Sequence, residues 1–440
     1  MASKQTISAV CASVVLCLLN PGSAPAAPSA LEPPDGWKPA SQRSEIMPKS
    51  WVDHAVHKSG QWSLALAGQG HRSVNGCWQR TVPVVGGGTY RFSASYLARK
   101  VDLERQSVFA RIVWLPPPRP HDEKYEYPRT VAPSGPGRPG EKATWGRIEG
   151  WCTAPEKAKQ ARLELIFRWD ADGEVFWDEI GFEPAEWPRR PVRLATIFCR
   201  PKGTKSPQAS VEKFAEMVRK AAEQKPDFIC LPEGITVVGT GKKYLDVAEP
   251  IPGPTTRRLG ELAREANAYL VAGIYERDGQ TVYNTSVLVG RDGRLIGRYR
   301  KVALPDEEID GGITRGDSFP VFETEFGKVG MMICWDVMFP EPARALAAQG
   351  AEIVFLPIWG GNQTLIEARA IENQIHLVTS SYDANTAIYD RKGEALAEAN
   401  EENPIAVVEV DLAETTRWPW LGDYRGRIAR EAPPVTGNPP

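Results

Sequence analysis

The spacing of apolar residues changes once along this 440-residue chain, near residue 190, and the change separates two kinds of fold. Before it, short runs alternate apolar and polar side chains, as in Thr89-Tyr-Arg-Phe-Ser-Ala-Ser-Tyr, Ser107-Val-Phe-Ala-Arg-Ile-Val-Trp and Ala161-Arg-Leu-Glu-Leu-Ile-Phe. A strand sends successive side chains to opposite faces, so such runs, broken by turns such as Gly86-Gly87-Gly88, predict an antiparallel sandwich. Residues 116–142, dense in Pro, Gly and charge, read as a long exposed loop. After the change, Arg193-Leu-Ala-Thr-Ile-Phe-Cys is strand-like, and residues 210–224 put Val211, Phe214, Val218 and Ala221 on one helical face. Phe228-Ile-Cys-Leu-Pro-Glu is a second buried strand, residues 256–267 a helix, and Tyr269-Leu-Val-Ala-Gly-Ile-Tyr a third strand. Strands alternating with helices predict an α/β architecture. A chain of this length is comfortable with two cores.

Lys and Arg (53) nearly balance Asp and Glu (55), so no overall field draws the chain to nucleic acid or to an anionic membrane. Residues 1–26 read as an export signal: Lys4, an apolar stretch over 7–19, then Ala24-Pro25-Ala26 at a small-x-small cleavage position. The apolar stretch is short for a bilayer, so the expectation is a periplasmic or extracellular protein with no stable membrane span after cleavage. Residues 27–43 read as a leader. Five cysteines follow, Cys77, Cys152, Cys199, Cys230 and Cys334. An odd number leaves at least one thiol unpaired within the chain, and none has zinc-site spacing, so no metal is expected. Whether Cys77 and Cys152 form a disulfide stays open.

Three residues in the second half interrupt apolar runs: Glu233, Lys301 and Cys334. Ligand sites of α/β folds form at strand ends, and the three side chains are chemically complementary. A thiolate attacks, a carboxylate takes its proton, and an ammonium, with the backbone N–H after Cys334, holds developing negative charge. Histidine is scarce there. Only His376 lies in the second half, in Gln374-Ile-His-Leu-Val, where core packing is the simpler reading, so a carboxylate must serve as the base.

The first half resembles the galactose-binding-like jelly rolls of carbohydrate-binding modules, through Gly60-Gln-Trp-Ser-Leu, Cys77-Trp-Gln-Arg-Thr-Val-Pro-Val, Tyr90-Arg-Phe-Ser-Ala and Trp177-Asp-Glu-Ile. That resemblance implies an all-β jelly-roll sandwich over 44–185 and a glycan as a candidate partner. Trp62, Trp78, Trp114, Trp145, Trp151 and Trp177 have the flat faces that stack on sugars, but core packing is the favoured reading for most.

The second half resembles the nitrilase superfamily of carbon–nitrogen hydrolases. Pro232-Glu233, Tyr283-Asn284-Thr285, Tyr299-Arg300-Lys301, Ile333-Cys334-Trp335-Asp336, Phe339-Pro340-Glu341 and Arg369-Ala370-Ile371-Glu372-Asn373 carry the likeness in family order. It implies a four-layer α-β-β-α sandwich over 193–430, joined by a linker at 186–192 and followed by a tail at 431–440. It also implies Glu233 as base, Lys301 as oxyanion stabiliser and Cys334 as the nucleophile that forms an acyl-enzyme. Glu308 is matched to a further carboxylate, with Glu307 as rival. Trp335, Trp359 and Asn362 are candidate substrate-binding residues, and Arg369 and Glu372 structural ones.

The expected activity is cleavage of an amide or N-carbamoyl bond in a small molecule, without a cofactor, in a chain capable of pairing as a homodimer. Cys-Trp-Asp resembles the amidase branches more than the Cys-Trp-Glu of nitrile-cleaving members. Nitrile hydrolysis, acyl transfer, and glycan binding beside an inactive hydrolase half remain the alternatives.

Overall fold

The computed structural model describes residues 36–117, 124–135, 144–418 and 422–431. The expected export signal and most of the C-terminal tail lie outside the described residues.

The first half holds strands β1 (Lys38–Ala40), β2 (Lys49–Asp53), β3 (Ser63–Ala67), β4 (Asn75–Pro83), β5 (Thr89–Arg99), β6 (Val108–Leu115), β7 (Tyr125–Glu126), β8 (Arg129–Ala132), β9 (Gly146–Thr153), β10 (Gln160–Arg168) and β11 (Glu174–Pro184). One sheet runs β1-β4-β10-β6-β7 and the other β2-β3-β11-β5-β9-β8, with every pairing antiparallel. Period two decides the core: Tyr90, Phe92, Ala94, Tyr96 and Ala98 of β5 and Ala161, Leu163, Leu165 and Phe167 of β10 point into one cluster. Trp78, Trp114 and Trp177 sit inside it, whereas Trp62, Trp145 and Trp151 are only partly buried.

Two expectations need correction, and one open question is answered. Residues 116–142 are not a plain loop, because β7 and β8 lie within them and extend the sheet edges. The leader is not detached, since Trp37 is buried in the core and β1 pairs with β4. No disulfide joins Cys77 to Cys152. They lie on strands of different sheets, and Cys77 packs with Phe109 and Ile166 in a cluster apart from the core that holds Cys152.

The second half adds β12 (Pro191–Ile197), β13 (Phe228–Cys230), β14 (Tyr269–Asp278), β15 (Thr281–Val289), β16 (Leu295–Arg300), β17 (Val321–Glu323), β18 (Lys328–Met331), β19 (Ile353–Pro357), β20 (His376–Ser380), β21 (Thr386–Tyr389), β22 (Ala395–Ala399) and β23 (Ile405–Asp411). Its sheets run β16-β15-β14-β13-β12-β23 and β17-β18-β19-β20-β21-β22. The central strands β12-β13-β14 and β18-β19-β20 are parallel. After the short α1 (Glu104–Ser107) of the first half come α2 (Pro207–Ala222), α3 (Tyr244–Val247), α4 (Pro254–Ala266), α5 (Asp306–Asp310), α6 (Pro340–Ala348), α7 (Gln363–Asn373) and α8 (Tyr424–Glu431).

Helix α2 begins at Ser206, whose side chain accepts from Ala209 N–H at 3.1 Å, and buries Val211, Phe214, Val218 and Ala221 as the spacing predicts. Those residues share a core with α4 and one face of the first sheet, and α6 and α7 cover the second sheet in the same way. A third cluster joins the two sheets directly, with Phe228, Val271, Val329, Met331, Phe355 and Val378 among its members.

Helix α8 returns to the first half. Arg430 lies over the Tyr127 ring at 4.1 Å, and Arg129 pairs with Asp423 at 2.9 Å. Arg190 before β12 and Arg425 on α8 both pair with Glu352, at 2.7 and 3.1 Å.

Denatured, unreduced protein is expected to titrate Cys77 and Cys152 as thiols along with the other cysteines of the mature chain. A gain of two thiols on adding reductant would reinstate the disulfide.

Candidate active site

Glu233 lies just past β13, on a loop that crosses over β14. The crossing is close: a Cβ on Gly273 of β14 would stand 2.6 Å from Glu233 Cα, so only glycine fits there. Gly273 N–H donates to Pro232 O at 3.1 Å and its carbonyl accepts from Ile235 N–H at 3.0 Å, which pins the loop on both sides of Glu233. Tyr382 Oη donates to the Glu233 carbonyl at 2.9 Å.

Lys301 follows β16, and its N–H donates to Asn284 O at 2.8 Å. The Asn284 amide in turn donates to Glu233 Oε1 at 2.6 Å and to Glu308 Oε1 at 2.5 Å. Lys301 Nζ completes the ring, 3.1 Å from Glu233 Oε1 and 2.8 Å from Glu308 Oε2. All four side chains are buried. Burial works against the Lys301 charge, but Glu233, Cys334 and Glu308 around it outweigh that and hold its proton more tightly than usual. Glu308 titrates above the usual carboxylate range, because burial and the Glu233 charge exceed the opposing pull of Lys301.

Cys334 stands where the chain leaves β18 and enters a 3₁₀ turn, Cys334–Met338, with φ of +41°. A left-handed backbone is costly for a residue with a Cβ, and such strain gathers at functional sites when the surroundings enforce it. Here Asp336 enforces it. Its Oδ2 accepts from Ile333 N–H at 2.9 Å and from Tyr299 Oη at 2.7 Å, and its Oδ1 accepts from Ala303 N–H at 2.8 Å. Tyr299 and Ala303 flank Lys301, so one buried carboxylate staples the lysine segment to the cysteine turn.

The Cys334 thiol is pushed up to about 12, first by burial and then by the adjacent Glu233 charge, against the pull of Lys301 and the Trp359 N–H. It is therefore a thiol at neutral pH that needs a base. Its Sγ–H donates to Gly360 O at 3.7 Å, with the Glu233 charge beside it, and Glu233 Oε2 accepts from Trp359 N–H at 2.9 Å. The N–H of Trp335, in the first turn of a short helix, has no intrahelical acceptor to reach and can serve an oxyanion.

A cavity of about 650 Å³ opens over this cluster, lined by Glu233, Lys301, Glu308 and Cys334, with Tyr244, Tyr275, Trp335 and Trp359 on its walls. Glu307 faces its outer part and is exposed, so Glu308 is the carboxylate that joins the cluster. Trp335 and Trp359 line the cavity as expected, but Asn362 does not: it caps α7, with its Oδ1 accepting from Leu365 N–H at 3.1 Å. A turn asparagine before a helix is a capping signal as much as a ligand signal, and here capping wins.

His376 is buried at the start of β20, away from the strand ends that carry the site, and burial pushes its imidazole down to about 3. Arg369 donates to Val337 O at 3.1 Å and pairs with Glu372 at 2.6 Å, tying α7 to the turn after Cys334. Among the described residues, no group of His, Cys, Asp and Glu is arranged to hold a metal ion. Sequence reasoning gave no role to Asn284 or Asp336 individually. The available signal was a polar residue inside an otherwise apolar or β-branched strand, and an acid directly after the Cys-Trp pair.

A family model described as carbon–nitrogen hydrolase matches residues 193–419. The human protein named omega-amidase NIT2 is 33% identical over 249 residues, covering 50% of this chain and 88% of that protein. A protein of Pyrococcus abyssi named nitrilase is 34% identical over 239 residues, covering 50% of this chain and 90% of that one. Among solved structures, an amidase from Nesterenkonia sp. aligns with a TM-score of 0.44 at 24% identity, covering 50% of this chain and 90% of that chain.

Asp336→Ala leaves two backbone N–H groups and the Tyr299 hydroxyl without their acceptor, each costing roughly 1–3 kcal/mol when buried. The expected result is a clearly lower melting temperature and at least about a tenfold loss of kcat, read by thermal denaturation and turnover. Unchanged turnover would show that Asp336 does not hold the cysteine turn.

Proposed function

Because the chain belongs to the carbon–nitrogen hydrolase family and is an enzyme of that kind, we propose that it cleaves an amide or N-carbamoyl bond of a small molecule through a Cys334 acyl-enzyme. The observation that carries this reading is the buried cluster in which one ammonium, Lys301, faces two carboxylates beside a protonated thiol.

Glu233 takes the thiol proton as Cys334 Sγ attacks the carbonyl carbon, and Lys301 Nζ with the Trp335 N–H stabilises the tetrahedral oxyanion. Collapse breaks the carbon–nitrogen bond, with Glu233 returning its proton to the leaving nitrogen, so ammonia or an amine departs and a thioester remains. Glu233 then deprotonates water, which attacks the thioester, and the acid leaves as the thiol is reprotonated. Glu308 holds Lys301 in place and keeps the cluster's charge pattern while Glu233 gains and loses its proton. A cavity of about 650 Å³ suits a small-molecule substrate.

Three finer readings belong to the same proposal. Two antiparallel sheets facing across one core support a jelly-roll sandwich of the galactose-binding-like type in the first half. Two sheets packed directly together, with helices on their outer faces, support the α-β-β-α layering of the second. The half-exposed Phe339 at the start of α6 is consistent with pairing of two copies beside the cysteine turn. Export rests on residues 1–26, and no helix among the described residues is long and apolar enough to cross a membrane.

The direct test is ammonia release from a panel of amides, N-carbamoyl amines and nitriles, with purified protein beside Cys334→Ala. Cys334-dependent turnover of amides or N-carbamoyl amines supports the proposal, turnover of nitriles alone redirects it, and silence across the panel sinks it. Glu233→Gln separates the roles further. Removing the base is expected to lower kcat by about 10²–10⁴. The same change removes the negative charge that raises the thiol, so the pH midpoint for alkylation of Cys334 by iodoacetamide should move down. A midpoint that stays or rises would contradict the placing of that charge beside the thiol.

A further inference from the structure

A second cavity, also of about 650 Å³, adjoins the catalytic one and has no part in the chemistry so far. It is a trough formed by the segment after Lys301, by α5 and by the turn from Cys334 into α6, lined by Val302, Leu304, Ile309, Phe319, Trp335 and Phe339. Arg315 and Glu341 are its charged residues. Ile309, Trp335 and Phe339 are 53%, 38% and 44% exposed, and large apolar side chains gathered round one opening mark a place that receives something apolar.

The trough is the far side of the catalytic wall. Lys301, Glu308 and Cys334 line the catalytic cavity, and the next residue of each, Val302, Ile309 and Trp335, lines the trough. Trp335 lines both. One apolar cluster spans the wall, with Tyr244 and Tyr275 on the catalytic side and Leu304 and Ile313 on the other. The wall is also fixed. Ile313 N–H donates to Glu308 O at 2.9 Å and Gly316 N–H to Lys301 O at 2.7 Å. A Cβ on Gly316 would stand 2.2 Å from Arg300 O, so the chain passes there only as glycine. Phe319 stacks on Tyr299 with ring centroids 6.2 Å apart, and Asp336 binds both Tyr299 and Ala303, so the same carboxylate that holds the cysteine turn holds the trough against it.

We propose that the trough receives the acyl chain of the substrate, and that this chain is an unbranched hydrocarbon rather than a short or polar group. The inference rests on the hydrolase reading and names the substrate of that same site. The acyl carbon stays bonded to Cys334 Sγ from the loss of ammonia to the attack of water, and the trough begins at the residue next to Cys334, so a chain lying in it is held through both steps. Water replaces ammonia at that carbon, and no further reactant is needed. A polar chain would give up its hydration to walls that return little of it, whereas a hydrocarbon gains by leaving water. Because the trough shares its wall with the reacting atoms, its occupant is the substrate and not a second copy of the chain.

The test is ammonia release from acetamide, butanamide, hexanamide and octanamide by wild type and by the double variant Ile309→Ser with Phe339→Ser, which alters only exposed side chains. Calorimetric binding of butanamide and octanamide to Cys334→Ala gives a readout that needs no turnover. For wild type, kcat/KM is expected to rise roughly threefold to fourfold for each CH2 that enters the trough, mainly through KM. The double variant should lose about tenfold on octanamide and keep its rate on acetamide. Rates that are flat or fall with chain length, with octanamide bound no more tightly than butanamide, overturn the trough and leave the hydrolase reading standing. Octanamide binding that the two serines weaken, without turnover of any amide, supports the trough and counts against the hydrolase reading instead. Neither binding nor turnover at any length sinks both. A dimer that dissociates in the double variant while the chain-length profile stays unchanged assigns the trough to a second copy and overturns the proposal.

Discussion

The second half of this protein is organised around a lysine that has almost no water. Lys301 is 1% exposed, and a buried ammonium is tolerated only where opposite charge and hydrogen bonds replace its hydration. Glu233 and Glu308 supply the charge, and Asn284 holds both carboxylates at the spacing the ammonium needs. Removing one partner of such a pair typically costs about 3–5 kcal/mol, because the other is left buried and unmatched. The cluster is therefore a strut as well as a site. It joins the loop after β13, the strand β15, the end of β16 and the helix α5, and Asp336 carries that connection on to the cysteine turn.

Much of this was legible in the residues alone. Glu233, Lys301 and Cys334 stood out because charge or a thiol ended an apolar run, and strand ends are where α/β folds place ligands. The helical face of α2 and the alternation in β5 were equally plain, since a period of 3.6 or 2 is written directly into the order of apolar residues. What failed or stayed open depended on partners distant in sequence. Cys77 and Cys152 have spacing that allows a bridge, but the sheets separate them, and no local pattern says which sheet a strand joins. Asn362 has the same local signature as a helix cap and as a ligand. Strands β7 and β8 are two and four residues long, too short to print a period through a Pro- and Gly-rich stretch.

The conformational strain in the chain is unevenly placed. Trp169 and Cys334 both hold a left-handed backbone, and each is fixed by a buried aspartate that accepts backbone N–H groups nearby. Asp170 and Asp336 are far apart in sequence and in different halves, yet they solve the same problem. A carboxylate accepts several N–H groups without donating any, so it can gather a loop into a conformation that side-chain packing alone would not maintain. An exposed ring and a thiol at the wall of a cavity both sit on backbone that needs such enforcement.

The return of α8 to the first half changes what kind of two-part molecule this is. The chain passes into the second half at Arg190 and comes back at Asp423, and Glu352 grips the crossing at both places through Arg190 and Arg425. Topologically the hydrolase half is an insert carried between β11 and α8, attached at two points like a panel on two hinges whose pins are both in place. A single tether would let it swivel about the linker. Two attachments remove that rotation, so the mouth of the cavity beside Cys334 keeps one bearing towards the first half.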